Sequence, residues 1–278
     1  MSETCETCYQ YAFLDSGSGG LPYLAQLRLH APGASCVYLA DTLNFPYGEK
    51  TRDEVIAHAS EAVERLLDHF SPRVVVVACN TISVAALPAL RARFPIPFVG
   101  TVPAIKVAAS VSKNRKIGLL ATARTVCDPY TDDLIARFAP DCEITRIGDS
   151  TLVSRIESEL VSGGREERLA AVRPSIDRFK AAGVDTIVLA CTHFLHVERE
   201  IREAAGADIA IIDSREGVIQ QALRLVPFDG SASGEPNAGA PWKAGSGACY
   251  VTGGISAEAE SRYRTYSDMF RIDWGGVL

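Results

Sequence analysis

The chain has 278 residues, of which 47% are hydrophobic and 22% are charged, a balance typical of a globular protein in solution. Its longest unbroken apolar run, Val74–Cys79, is too short to cross a bilayer, and the start of the chain carries no apolar signal segment. A formal net charge of -6 without a basic cluster argues against a nucleic-acid surface. We therefore expect a cytoplasmic protein that binds neither membranes nor nucleic acid.

The cysteines favour free thiols over a disulfide framework, because eight of them are scattered through a long chain without a secretory signal. Cys5 and Cys8 have a spacing that also serves zinc and redox sites. No second such pair and no spaced histidine pair completes a tetrahedral site. We interpret this spacing as a chance feature of the terminus and expect no metal.

Strand-like apolar runs alternate with helical patterns along most of the chain. The helix predicted over 51–70 illustrates the second kind, since Thr51 and Glu54 form a capping-box pattern ahead of one apolar face. Alternation of this kind predicts an α/β fold with parallel sheets. The predicted strands are Tyr11–Asp15, Cys36–Ala40, Val74–Cys79, Pro97–Val99, Lys116–Ala121, Cys142–Ile147, Thr186–Ala190 and Asp208–Ile212.

An internal repeat predicts two similar α/β domains. "FLDSGSGG" opens the first half much as "LLATARTV" opens the second, and each half later reaches an Ala-Cys turn. Prolines punctuate 94–103, so we place the first domain at 1–99 plus 213–278 and the second at 100–212. The low-complexity stretch 229–247 is predicted to be a surface loop. "CYVTGG" then predicts a last strand or edge, before a closing helix.

The two Ala-Cys turns carry the strongest functional signal. Cys79 and Cys191 each follow a run of β-branched residues, at the carboxyl ends where open α/β sheets hold ligands. Either cysteine alone is more simply explained as a small core residue. Two matching positions favour function instead. Other predicted strand ends add hydroxyl, amide and backbone N–H groups, which suit a small ligand with carboxylates.

Five motifs in order closely resemble the glutamate racemases, a branch of the cofactor-independent amino-acid racemase family. They are "FLDSGSGGL", "YLADTLNFPYGEKT", "VVACNTIS", "GLLATARTV" and "LACTHF". The resemblance implies two flavodoxin-like domains with the active site in the interdomain cleft. It also implies interconversion of L- and D-glutamate without a cofactor, which supplies D-glutamate for bacterial peptidoglycan, and, since relatives are often dimers, it implies a homodimer.

Inversion of an α-carbon without a cofactor requires one group to remove a proton and another to return one from the opposite face. The resemblance assigns these roles to Cys79, which would take the proton from D-glutamate, and Cys191, which would take it from L-glutamate. It assigns assisting roles to Asp15, Glu157 and His193. The substrate-binding residues implied in the same way are Asp15, Ser16, Tyr47, Gly48, Asn80, Thr81, Thr122, Thr125, Thr192 and His193.

Two departures from the family pattern fall close to these residues. Asp149-Ser150 stands where many relatives have Cys-Pro, and Leu195-His196 stands where a proline usually follows the His-aromatic pair. Both bear on the local backbone around Glu157 and His193.

Two alternatives stay open. One is an aspartate or other amino-acid racemase of the same family, and the other is a catalytically inactive small-molecule binding protein of the same fold. No flavin, nicotinamide or pyridoxal phosphate is expected, because the chain lacks a dinucleotide fingerprint and has no lysine among the motif turns.

Overall fold

The computed structural model describes residues 9–228 and 247–278, so Cys5, Cys8 and nearly all of the predicted 229–247 loop lie outside the described residues. The chain divides into two compact units. The first is built from the described residues within Met1–Phe45, Thr51–Thr101 and Arg215–Leu278. The second contains Pro46–Lys50 and Val102–Ser214.

The elements follow one another in the alternating order that the sequence predicts. The strands are β1 Tyr11–Asp15, β2 Cys36–Ala40, β3 Val74–Val77, β4 Phe98–Gly100, β5 Lys116–Ala121, β6 Glu143–Gly148, β7 Thr186–Leu189, β8 Ala210–Ile212, β9 Gly247–Val251 and β10 Asp273–Val277. The helices are α1 Leu21–His30, α2 Arg52–His69, α3 Asn80–Arg93, α4 Ile105–Val111, α5 Ala123–Cys127, α6 Pro129–Phe138, α7 Ser150–Arg155, α8 Arg165–Ala181, α9 Glu198–Ala205, α10 Arg215–Leu225 and α11 Ala257–Phe270. Three short 3-10 helices, Thr42–Asn44, Tyr47–Glu49 and Thr192–Val197, and one π-helix, Ile156–Leu160, complete the described part.

Both sheets are parallel, and the same four-strand series occurs in each. The first sheet has the order β10-β9-β2-β1-β3-β4, and the second has the order β6-β5-β7-β8. Counted within each unit, both contain the series 2-1-3-4 that is characteristic of flavodoxin-like folds. The predicted α/β class with two similar parallel-sheet domains is confirmed.

Burial explains why the central strands are continuous apolar runs. Every residue of β1, β2, β3 and β7 is buried, as expected for parallel strands that are covered on both faces. The helices present one apolar stripe to the sheet. Helix α2 begins with the predicted capping box, in which the Glu54 backbone N–H donates to Thr51 Oγ1 and the Thr51 N–H donates to Glu54 Oε2. The helix then buries Val55, Ala59 and Val63.

The last part of the chain differs from the sequence-based expectation. "CYVTGG" contributes β9, which lies between β2 and β10 and is therefore not an edge. The edge strand is β10, which follows α11 and was not predicted. Its sequence, Asp-Trp-Gly-Gly-Val, lacks a run of β-branched residues, and pairing with β9 compensates for this low intrinsic propensity.

Candidate active site

In the first unit, polar residues cluster at the carboxyl ends of the neighbouring strands β1 and β3, a place called here the first sheet edge. The two strands are paired, and the strand order reverses between them, so their ends flank the switch point at which open α/β sheets bind ligands. Asp15 is the last residue of β1, and Cys79 is the N-cap of α3 just beyond β3. The backbone N–H of Ala78 donates to the carbonyl of Leu14 over 2.8 Å, which holds the two strand ends together.

Buried polar groups surround this edge. The Asp15 side chain is fully buried, and its Oδ1 accepts a hydrogen bond of 2.7 Å from the backbone N–H of Ser16. Asn80 and Thr81, in the first turn of α3, are each 3% exposed. Neither the nitrogen nor the oxygen of the Asn80 amide has a hydrogen-bond partner among the described residues. An unpaired buried amide costs about 1–3 kcal/mol, so a ligand with both donors and acceptors would be stabilised beside it.

The second unit repeats this arrangement. Strands β5 and β7 are paired across the equivalent switch point, with Thr122 after β5 and Cys191 after β7. The backbone N–H of Ala190 donates to the carbonyl of Leu120 over 2.7 Å, as Ala78 does in the first unit. The backbone angles of the two cysteines also agree, with φ -138° and ψ 120° at Cys79 and φ -137° and ψ 133° at Cys191. The two thiols therefore occupy equivalent positions in two equivalent sheets.

Thr122 caps a short helix and packs against the Pro46–Lys50 segment. Its hydroxyl donates to Thr125 Oγ1 over 3.1 Å and accepts from the Thr125 N–H over 3.3 Å. Gly48 is buried so close to this residue that an added Cβ would lie 2.8 Å from the Thr122 Cβ. Glycine is thus required sterically at position 48. The neighbouring Tyr47 is 1% exposed.

A chain of contacts leads from a carboxylate to the second thiol. His193 Nε2 lies 3.0 Å from Glu157 Oε2, and His193 Nδ1 lies 3.9 Å from Cys191 Sγ. The histidine and the cysteine are buried, and Glu157 is 9% exposed. The structure therefore brings together three of the residues that the sequence singled out, across a separation of 36 positions.

The pKa of His193 lies well above its ordinary value. Burial of the ring acts to lower this pKa, but the hydrogen bonds to Cys191 and Glu157 and the negative charge of both partners raise it further than burial lowers it. The direction of this shift favours the protonated form of the ring. A cation beside a cysteine favours its thiolate form, which is the form that can remove a proton.

Local backbone structure at two of these residues is not specified by the sequence pattern. That pattern places Cys191 at a strand end without predicting the backbone beyond it, and the structure shows a 3-10 helix, Thr192–Val197, before α9 begins at Glu198. Glu157 lies on a π-helix that continues α7. Thr192 is 1% exposed at the first position of the 3-10 helix.

One acidic residue at the first sheet edge was missed. Asp41 follows β2, is 1% exposed, and donates its backbone N–H to the carbonyl of Asp15. Its carboxylate accepts hydrogen bonds from Thr252 and Asn44. The sequence could have indicated this residue, because Asp41 directly follows the strand β2 and Asp15 is the last residue of the strand β1.

Comparison with known proteins identifies the family. A sequence model described as Asp/Glu/Hydantoin racemase matches residues 23–222. A protein named glutamate racemase from Treponema pallidum is 43% identical over 270 residues, which cover 97% of each chain. Another from Sphingopyxis alaskensis is 40% identical over 222 residues, covering 79% of this chain and 82% of the relative. The chain belongs to the Asp/Glu/hydantoin racemase family.

Solved structures agree with this assignment. The structure of Escherichia coli glutamate racemase in complex with L-glutamate and the activator UDP-MurNAc-ala superimposes with a TM-score of 0.82 at 29% identity, covering 97% of both chains. The resemblance to glutamate racemases is thereby confirmed, while the roles of individual residues stay predictions. No helix within 9–228 and 247–278 combines the length and the apolar character needed to cross a membrane.

Proposed function

We propose that the protein interconverts L- and D-glutamate, with Cys79 and Cys191 as the two acid–base groups. The observation that carries the proposal is the equivalence of the two thiols, which follow corresponding strands with matching backbone angles. The relatives named glutamate racemase support the substrate. Supply of D-glutamate for peptidoglycan in the bacterial cytoplasm is the role that follows from family membership.

In this mechanism, one thiolate removes the α-proton and the other thiol returns a proton to the opposite face of the same carbon. Cys191 acts as the base on L-glutamate, and Cys79 acts as the base on D-glutamate. After one turnover the two sulfurs have exchanged protonation states. The enzyme is then in the protonation state from which the reverse reaction starts. No electron acceptor is required, because the configuration of the carbon changes but its oxidation state does not.

Glu157 and His193 assist the Cys191 side. A protonated His193 beside the sulfur stabilises the thiolate before proton removal and the Glu157 carboxylate holds the ring in that state. Asp15 has the corresponding place on the Cys79 side, since it ends the strand that pairs with β3. The two thiols would therefore be activated differently, one through an imidazolium and the other beside a carboxylate.

Substrate recognition falls to the polar groups at the strand ends. The amide of Asn80, which has no hydrogen-bond partner within residues 9–228 and 247–278, can accept from the α-ammonium and donate to a carboxylate. Backbone N–H groups around Tyr47 and Gly48 suit the side-chain carboxylate, as the family resemblance implies, and the close packing of Gly48 on Thr122 fixes the backbone of this segment. The further binding residues proposed are Asp15, Ser16, Thr81, Thr122, Thr125, Thr192 and His193. A homodimer is also proposed, on the family resemblance.

Exchange of the α-proton tests the proposal most simply. Incubated in heavy water with each enantiomer of glutamate and of aspartate, the protein should incorporate deuterium at the α-carbon of both glutamates and change their optical rotation. An aspartate racemase would instead act faster on the two aspartates. A binding protein without chemistry would bind glutamate and show exchange no faster than buffer.

A further inference from the structure

We propose that Ser175, Asp149 and Arg168 are positioning residues that clamp the backbone segment carrying Glu157, and so hold its carboxylate against His193. This inference rests on the proposed racemase function. The clamp is defined here as the contacts that α8 makes with the two ends of Ser150–Leu160, the segment formed by α7 and the π-helix.

The first end of the segment is fixed at Asp149. This residue is the N-cap of α7, and its Oδ1 accepts a hydrogen bond of 2.9 Å from the Leu152 N–H. Its Oδ2 accepts a hydrogen bond of 2.6 Å from the Ser175 hydroxyl, and Ser175 is 3% exposed on α8. The backbone N–H of Asp149 also donates to the carbonyl of Ala121 at the end of β5. One carboxylate thus starts α7 and ties it to both the sheet and α8.

The second end is fixed by Arg168 on the same helix. Its Nε donates to the carbonyl of Leu160 over 2.8 Å, and its Nη2 donates to the carbonyl of Val161 over 2.9 Å. Leu160 is the last residue of the π-helix and Val161 is its C-cap, a position at which helix carbonyls generally need partners from outside the helix. Arg168 and Ser175 are about two helical turns apart on α8, so one face of one helix holds both ends of the segment.

The segment between these ends has an unusual backbone, the π-helix Ile156–Leu160. π-Helices are rare and occur frequently at functional sites, because the wider turn redirects side chains. Glu157 is the second residue of this π-helix and makes the 3.0 Å contact with His193. Because π-helices are rare, contacts from the surrounding structure are expected to hold this turn in place. The contacts of Asp149, Ser175 and Arg168 fix both ends of the segment that contains this turn.

Kinetic isotope effects distinguish positioning from general support of the fold. Loosening Glu157 should slow proton transfer at Cys191 and not at Cys79. Starting from L-glutamate, Cys191 removes the α-hydrogen, so Ser175→Ala should increase the α-deuterium isotope effect on kcat/KM. Starting from D-glutamate, Cys79 removes the α-hydrogen, and this step is faster than the later return of a proton by Cys191. The α-deuterium isotope effect on kcat/KM should therefore fall towards one. The value of kcat/KM should fall about tenfold in both directions, since enantiomers have an equilibrium constant of one.

Ser112 provides the matched control. Its hydroxyl donates to Asp185 Oδ1 over 2.7 Å in the same unit, and Asp185 lies at the opposite end of β7 from Cys191. Ser112→Ala removes an equivalent serine–aspartate bond and should leave both isotope effects unchanged. Ser175→Thr should restore the wild-type values. Arg168→Met tests the other end of the clamp if Ser175→Ala does not fold, and it should produce the same asymmetry between enantiomers.

A second readout does not depend on turnover. In wild-type protein, NMR should show His193 titrating above the ordinary histidine range, and Ser175→Ala should move its pKa towards that range as Glu157 is released. If wild-type protein fails to exchange the α-proton of glutamate, the proposed function is wrong, whatever the titration shows. If wild-type protein racemises glutamate but Ser175→Ala and Arg168→Met change neither the isotope-effect asymmetry nor the His193 titration, the clamp proposal is overturned.

Discussion

His193 Nε2 lies 3.0 Å from Glu157 Oε2, although the two residues are 36 positions apart and belong to different elements. This contact matters because the other ring nitrogen faces Cys191. A buried imidazole with a carboxylate on one side and a thiol on the other can hold a proton between them. The pair thereby couples a π-helix to the candidate base of the second unit.

Removing the charge of Glu157 should weaken this coupling. Glu157→Gln keeps the shape of the side chain but loses the carboxylate, so we expect kcat/KM for glutamate to fall about 100-fold. Glu159→Gln is the matched control, because Glu159 lies on the same π-helix but is exposed and bonded to Arg155. A racemisation assay with both enantiomers measures the effect. Equal activity of the two variants would remove Glu157 from the mechanism.

The raised pKa of His193 also predicts how stability depends on pH. A group whose pKa is higher in the folded state stabilises the protein below its unfolded pKa, about 6.5, and this contribution is lost as the pH rises through the folded pKa. The unfolding free energy of wild type relative to His193→Gln should therefore be largest near pH 6 and should shrink at alkaline pH. Chemical denaturation across this range measures it.

Glu157 provides the control for that measurement. In a Glu157→Gln background, the imidazolium lacks its carboxylate partner, so the pH-dependent part of the His193→Gln effect should become smaller. A pH-independent difference between wild type and His193→Gln would show that the pKa of His193 is the same in the folded and unfolded states, and a difference that grows as the pH rises through about 6.5 would show that the ring is neutral in the folded protein.

A methyl group at position 48 should disturb the substrate site. Gly48→Ala places a Cβ 2.8 Å from the Thr122 Cβ, so one of the two backbones must move. Overpacking of this kind costs about 1–3 kcal/mol, and we expect KM for glutamate to rise about tenfold. Gly217→Ala is the control, because nothing lies within 4 Å of its added Cβ. An unchanged KM in Gly48→Ala would exclude this segment from substrate binding.

Much of the fold follows from local sequence, because buried parallel strands are short apolar runs with polar residues at their ends. The strands Tyr11–Asp15, Cys36–Ala40 and Lys116–Ala121 have the predicted bounds. Strand β10 could not be predicted, since two of its five residues are glycines and its pairing with β9 is a tertiary contact. The 3-10 helix after Cys191 likewise depends on its surroundings.

Some residues of the candidate site could likewise be predicted from local sequence, and others could not. Position relative to a strand end predicts Asp15, Cys79 and Cys191 from the residues alone, because parallel strands end at one edge. Glu157 lies on a π-helix, and no periodicity in the sequence indicates which way its side chain points. Its assignment to the site rests on the family resemblance, and its contact with His193 is a tertiary contact that local sequence does not specify.

Thiol alkylation should separate the candidate bases from the other cysteines. Saturating glutamate should protect Cys79 and Cys191 from iodoacetamide, because the proposed mechanism requires bound glutamate to contact both sulfurs. Cys127 is exposed and should react equally with and without glutamate. Cys36 should stay unmodified in both cases, since burial raises its pKa to about 12. Mass spectrometry of the digested protein reads each site. Unprotected Cys79 and Cys191 would contradict a shared substrate site.

The central claim is that two thiols work on opposite faces of one carbon, and single variants test it with a glutamate analogue that carries a leaving group at the β-carbon. Elimination needs only removal of the α-proton and loss of that group, so one base suffices. Cys79→Ser should still eliminate the leaving group from the L-analogue but not from the D-analogue, and Cys191→Ser should do the reverse. Both variants should lose nearly all racemisation, because the serine hydroxyl is a much weaker acid than a thiol and does not ionise to act as the second base. Equal residual elimination from both enantiomers in either variant would contradict the two-thiol assignment.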